Sequence, residues 1–135
     1  ELEIKIPSTI QGESITSYAY MFCGDSTYNA TPVTRVVSDN PNVTDVRFMF
    51  YYSKATTLDL SNFNTFSVTN MRSMFVLSTA TTLDLSGFDT SNVTNTDYMF
   101  TDSSATVGYA RTQADADKLN SSTDKPAGLN FVVKP

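Results

Sequence analysis

Two aspartates stand in nearly identical words 25 residues apart: Asp59 in Thr57-Leu58-Asp59-Leu60-Ser61 and Asp84 in Thr82-Leu83-Asp84-Leu85-Ser86. Alternation of Leu with Thr, Asp and Ser predicts a half-buried strand, with the polar residues on one face. If the two strands are neighbours, Thr57, Asp59 and Ser61 lie beside Thr82, Asp84 and Ser86 as ladders of hydroxyls and carboxylates. Like charges directly opposite in a sheet are unfavourable. Such a pair could await a cation, a Lys or Arg of a partner, or a sugar hydroxyl. It could equally be a solvated polar face that a repeat copies, with water screening the repulsion. Two carboxylates one strand apart also approach the ~5 Å separation of retaining glycosidases. Nothing suggests a pocket that would raise one pKa, however, and any repeat places equivalent residues side by side.

No other catalytic chemistry has its parts. The chain has no His and one Cys, and it contains neither a Gly-x-Ser-x-Gly nor a phosphate loop. No catalytic residue, metal site or cofactor is expected. Cys23 follows a Met-Phe pair, which predicts a small buried hydrophobe rather than a reactive thiol. Stacked threonines at Thr56-Thr57 and Thr81-Thr82 could order water as an ice-binding ladder, but the aspartates interrupt the plane.

The aspartates belong to a longer pattern. Met-Phe occurs four times, ending at Phe22, Phe50, Phe75 and Phe100, and the last three copies are 25 residues apart. A sequence repeated in register stacks coils, each burying its apolar side against the next, rather than enclosing one central core. The first interval is 28 residues, and turn formers at Tyr28-Asn29-Ala30-Thr31-Pro32 suggest the insertion point. Ile4 and Ile6 supply an earlier strand. Within each unit, Val68, Met71 and Phe75 are spaced i, i+3, i+7, which predicts one side of a short helix with Asn70 or Thr69 as cap. Thr112-Gln113-Ala114-Asp115 resembles a capping box opening a helix through Leu119. Leu129, Phe131 and Val133 alternate as a last strand.

Where the repeats disagree, several residues are aromatic. On a helical wheel Phe48 falls away from the buried side, and Tyr20, Ser73 and Tyr98 share its register. Tyr51 and Tyr52 follow the helix, as do Val76 and Leu77, and Phe66 breaks a polar loop. Exposed aromatics rimmed by Ser, Thr and Asn suit protein or glycan contacts. Folding over neighbouring coils, or packing on an adjacent domain, is an equally good account. Each Phe of the Met-Phe pairs is core, and each Met is expected nearer the edge.

Net charge is −5 and the cations are scattered singly, which argues against nucleic acid and anionic membrane surfaces. Ser and Thr exceed a quarter of the residues, and no apolar run approaches a membrane span. Opening on a strand with no leader ahead of it, the chain reads as an excised piece of a longer protein.

The string Ala-Thr-Thr-Leu-Asp-Leu-Ser-x-Phe-(Asp/Asn)-Thr-x-x-Val-Thr-Asn, closed by x-x-Met-Phe, resembles the BspA-like leucine-rich-repeat surface proteins, whose repeat is shared with lipoproteins of mycoplasma-type bacteria. Residues 108–120 are similar to the ending such arrays carry. Thr96 departs from the pattern where Met71 sets it, as does Phe66 where Ser or Asn is usual. The first full repeat keeps only Val33-Thr34-Arg35-Val36-Val37 in place of Leu-Asp-Leu. The resemblance implies a secreted or wall-attached bacterial protein, large and modular, with adhesion as the usual role.

The expectations are therefore an α/β leucine-rich-repeat-like solenoid with a parallel sheet and one short helix per coil. One domain is divided into an N-terminal coil (1–22), repeats (23–106) and a C-terminal cap (107–135). The expected function is an extracellular, non-enzymatic adhesin segment. Its candidate contact residues are Thr57, Asp59, Ser61, Thr82, Asp84 and Ser86 on the sheet, and Phe48, Tyr51, Tyr52, Phe66 and Tyr98 elsewhere. Its partner would be a host or bacterial surface protein or glycan, with no nucleic acid, no membrane insertion and a monomeric chain. The alternative is a structural spacer with no ligand.

Overall fold

The computed structural model describes residues 2–24 and 33–135. The insertion placed at residues 28–32 lies outside them. Six strands form one parallel sheet: β1 (Glu3–Lys5), then after a two-stranded hairpin of β2 (Thr9–Ile10) and β3 (Glu13–Ser14), β4 (Arg35–Val37), β5 (Thr57–Asp59), β6 (Thr82–Leu85), β7 (Val107–Ala110) and β8 (Asn130–Val133). Apart from the hairpin, chain order is sheet order. The chain is a parallel-sheet solenoid of about four turns. The expected register is observed: Leu58 pairs with Leu83 and Asp59 with Asp84. Alternation decides which face is wet. Leu58, Leu60, Leu83 and Leu85 are buried inside the coils, while Thr57 and Asp59 face outward.

Phenylalanines hold the coils together along their axis. Phe22, Phe50, Phe75 and Phe100 stack with centroid separations of 5.6, 5.5 and 5.6 Å and nearly parallel rings. A second aromatic column, Tyr18, Phe63 and Phe88, runs through the corner after the strand. The methionines of the pairs are not at an edge: Met49, Met74 and Met99 are wholly buried, and only Met21 of the first coil is exposed. Cys23, expected inside, is exposed beside it. In the first coil Phe22 itself is only partly buried, so its neighbours lie at a margin of the core.

Among the described residues the short helix expected in each coil is not there. Val46 to Ser53, Met71 to Ser78 and their equivalents form runs of tight turns, and the one helix of the described residues is α1 (Gln113–Asn120). The backbone bonds give the reason. Met49, Tyr51 and Ser53 donate their N–H groups within the coil, to the carbonyls of Val46, Phe48 and Phe50. The intervening amides of Phe48, Phe50 and Tyr52 donate instead to Arg72, Met74 and Val76 of the next coil. A helix would spend all of these amides internally and leave nothing to pair the coils. An i, i+3, i+7 spacing fits both arrangements, so it could not tell them apart. Phe48, Tyr52, Ser73, Leu77 and Tyr98 adopt left-handed backbone with φ between +55° and +59° to make the turns. Bulky residues there are strained by roughly 1–3 kcal/mol each, offset by the inter-coil bonds.

A buried polar column was not anticipated. Asn40, Thr65, Thr90 and Asp115 occupy equivalent corner positions and are all at most 2% exposed. Asn40 donates to the Ile15 carbonyl and Thr65 to the Asp89 carbonyl. Thr90 donates both its amide and its hydroxyl to Asp115. Each corner thus satisfies a buried polar group by bonding to the adjacent coil.

α1 begins where the capping pattern places it, with the Thr112 hydroxyl accepting from the Asp115 amide. Its Lys118 ammonium donates to the carbonyls of Thr90 and Val93. Phe131 of β8 leans over Gly108 and meets Phe100 at 4.9 Å. Gly108 stands where earlier coils carry Leu58 and Leu83; a Cβ there would sit 2.5 Å from the Phe131 ring.

A second glycine is also fixed by close approach. Gly87 occupies the place of Asn62 one coil later, and a Cβ on it would come within 2.4 Å of the Ser61 carbonyl oxygen. Backbone cannot yield as a side-chain tip does. Gly87→Ala is expected to destabilise the chain by about 1–3 kcal/mol, read as a lower urea midpoint with unchanged slope.

Candidate functional site

The structure pairs Thr57 with Thr82 and Asp59 with Asp84 as expected, with Ser61 and Ser86 just past the strand ends, but the charges are already committed. The Asp59 carboxylate accepts from the Ser61 hydroxyl at 2.6 Å and its amide at 3.0 Å. Its other oxygen meets the Arg35 guanidinium at 2.5 Å. Arg35 also meets Glu3 at 2.7 Å. Asp84 repeats the arrangement with Ser86, and its outer oxygen meets the Lys134 ammonium at 2.5 Å. Repulsion between the aspartates is therefore relieved from both sides by cations of the same chain. Partial burial of Asp59 acts to raise its pKa, but the bonds from Ser61 and the Arg35 charge outweigh it, and the pKa lies below the ordinary value. The Arg35 and Lys134 pKa values are raised in turn, chiefly by the bonds to Asp59 and Asp84. A carboxylate held ionised and paired is poorly placed to act as a proton donor near neutral pH. Among the described residues, no group of three or more His, Cys, Asp or Glu is placed to hold a metal ion.

Arg35 and Lys134 escaped the sequence reading because neither lies in a copied word. Arg35 stands where later repeats carry Asp59, which is legible in the alignment of the units as an opposite charge in the same column. Lys134 is 50 residues from Asp84, and only the return of β8 to the sheet brings it near. Beyond the sheet's C-terminal ends lies a shallow open groove of about 460 Å³ between Asp39, Ser61, Asn62, Asn64 and Gly87.

The aromatic candidates divide. On the turn side Tyr20 and Phe48 stack with nearly parallel rings at 4.9 Å. Tyr51 meets Phe48 edge-on at 5.7 Å and Tyr52 at 4.8 Å. Tyr20 is 51% exposed, whereas Phe48, Tyr51 and Tyr52 are half-buried. These four form one continuous cluster across two coils. Ser73, expected to point outward from the same register, is buried, so the aromatic column is interrupted there. Tyr98 resumes it one coil later with the Arg72 guanidinium over its ring at 5.2 Å. Phe66 is 57% exposed on the corner loop, apart from these contacts. The cations of this side stand outside the candidates that the sequence suggests. Arg47 and Arg72 are equivalent residues of successive coils, and Lys54 lies over Tyr52 at 5.3 Å. Their 25-residue separation was the available signal.

Parallel strands stacked in chain order, aligned Phe columns and a recurrent turn run define a repeat protein of the solenoid class. The family described as "Mycoplasma protein of unknown function, DUF285" matches residues 16–121, and the chain belongs to it. No curated protein and no solved structure matches the chain.

Proposed function

We propose that this chain is a non-enzymatic binding module of a bacterial surface protein, extracellular and either secreted or wall-attached, of the BspA-like kind. It would serve as an adhesin segment contacting protein or glycan on a host or neighbouring cell. The observation that carries this reading is the Tyr20, Phe48, Tyr51 and Tyr52 cluster, with Phe66 exposed on the corner loop. Scaffold needs do not require large aromatics there, since Ser73 and Asp102 serve two of the same turn positions in other coils. Aromatic side chains that are only partly covered supply contact area at low entropic cost. The sheet face is the lesser candidate, because its carboxylates already have partners.

The last segment, residues 107–135, reads as a terminal cap. Phe131 covers Phe100, and Pro126 has no amide to offer a further coil. A spacer role is the competing reading, and one experiment separates the two. Single alanine variants at Phe48, Tyr52 and Phe66 are measured for binding to host cells and extracellular matrix. The adhesin reading expects binding to fall several-fold in at least one variant whose melting temperature is within a few degrees of the parent. Retention of full binding in all three leaves the spacer.

A further inference from the structure

We infer that the turn side of the second and third coils is a docking surface for an acidic polypeptide segment, which would specify the partner of the binding module proposed above.

The charge arrangement is the starting point. The chain is acidic at −5, yet the turn-side segments 43–55 and 68–80 carry Arg47, Lys54 and Arg72 against one carboxylate of their own, Asp45, with Asp97 of the following coil near Arg72. Arg47 and Arg72 occupy the same column of adjacent coils, since the Phe48 amide bonds to the Arg72 carbonyl and Asp45 bridges to Asn70. Like charges one coil apart, ~4.8 Å along the sheet direction, are unfavourable unless something relieves them. On the sheet face that relief comes from within, through contacts of 2.5–2.7 Å to Arg35 and Lys134. On the turn side it is incomplete. Arg47 reaches Asp45 at 3.2 Å and Arg72 reaches Asp97 only at 3.7 Å, with both guanidinium side chains about half exposed. Exposed pairs of that length hold their partners weakly. Lys54 has a ring contact and, among the described residues, no carboxylate partner.

The aromatics select the same kind of ligand. Tyr20 and Phe48 cover each other's faces, and Tyr51 and Tyr52 meet edge to face. Ring edges carry the positive end of the quadrupole, so edges and cations together favour carboxylates. Stacking of a sugar ring needs an open aromatic face, and the mutual packing of these rings uses up much of theirs. Exposed Tyr20 of the first coil, stacked on Phe48 next to Arg47, borders this surface and suits apolar side chains interspersed with the acids. An acidic polypeptide meets all three conditions.

The test is surface binding of the whole chain to immobilised poly-L-glutamate at low ionic strength. The expected result is retention despite the chain's negative charge, weakening steeply as salt is raised. Double substitution R47Q/R72Q should weaken it by roughly tenfold or more, and K54Q by a few-fold. K5Q, the same charge change at an exposed site on β1, should leave it unaltered. Melting temperatures establish that the variants are folded; K54Q, which among the described residues removes a ring contact and no ion pair, carries the test if the double variant unfolds. Absence of binding, or an equal loss in K5Q, overturns the proposal. Binding to dextran sulfate but not to poly-L-glutamate overturns it in favour of an anionic polysaccharide. Loss of cell binding in the Phe48 or Tyr52 alanine variants alongside a negative poly-glutamate result would leave the module reading standing and remove this inference alone.

Discussion

Phe75→Ala is expected to lower the unfolding free energy by about 3–5 kcal/mol. The ring is wholly buried, and it stacks on Phe50 at 5.5 Å and on Phe100 at 5.6 Å. Removing it forfeits two ring contacts as well as the transferred area, because the backbone on either side is pinned by the inter-coil ladder and cannot collapse into the space. The Phe75 amide bonds to Met99 and the Phe50 amide to Met74. Coils of a solenoid interact only with their neighbours, so a gap in the third coil also weakens coupling between the two ends. Urea denaturation followed by tyrosine fluorescence should show the lower midpoint together with a shallower or split transition. A loss below about 1 kcal/mol would mean that the column is not what joins the coils.

Asp115→Ala is expected to cost about 2–4 kcal/mol, and the cost should depend on pH. Asp115 is 2% exposed and accepts from the Thr90 amide at 2.8 Å, the Thr90 hydroxyl at 2.7 Å and the Thr112 hydroxyl at 2.6 Å, with Arg111 at 3.1 Å. Burial works to raise its pKa, but these donors and the Arg111 charge outweigh it, and the pKa is lowered. In the unfolded chain the carboxyl titrates near ~3.9. A folded pKa below that value means that the unfolded chain takes up the proton first as pH falls. The stabilisation is therefore complete above the unfolded pKa and is lost as pH drops through the folded one. The parent and the Asp115→Ala variant should differ most at neutral pH and converge in strong acid. Asp59 and Asp89 also have lowered pKa values, so the parent should lose further stability over the same acid range. A difference between parent and variant that stays constant from neutral pH to pH ~2 would contradict the assignment.

The two residues differ in how visible they were. Phe75 belongs to a word repeated at fixed intervals, and repetition alone requires equivalent residues to stack. Register, sheet order and the identity of the Phe spine followed without coordinates. Asp115 was legible as part of a capping pattern, but its bond to Thr90 was not. That contact depends on α1 occupying the corner position that Asn40, Thr65 and Thr90 fill in earlier coils. Ser73 and the methionines depart from expectation for one common reason: a helical wheel does not describe a segment whose amides alternate between their own coil and the next. The wheel assigns one outward residue per turn, whereas the turn run buries both Ser73 and Met74.

The candidate surface shows the same division. The aromatic positions could be picked out as departures from the repeat, and their exposure at Tyr20, Phe66 and Tyr98 agrees with that reading. Whether the aspartate ladder was vacant could not be decided from its own residues, because the answer lay in Arg35 and in Lys134, far along the chain. By itself the sequence determined a stack of coils with known register, since periodic apolar residues admit few other ways to leave water. Only the tertiary structure decided which charges were spent inside the fold and which remained loosely held. Ion pairs form between whichever side chains the winding brings within a few ångströms, and a 25-residue pattern carries no record of partners outside it.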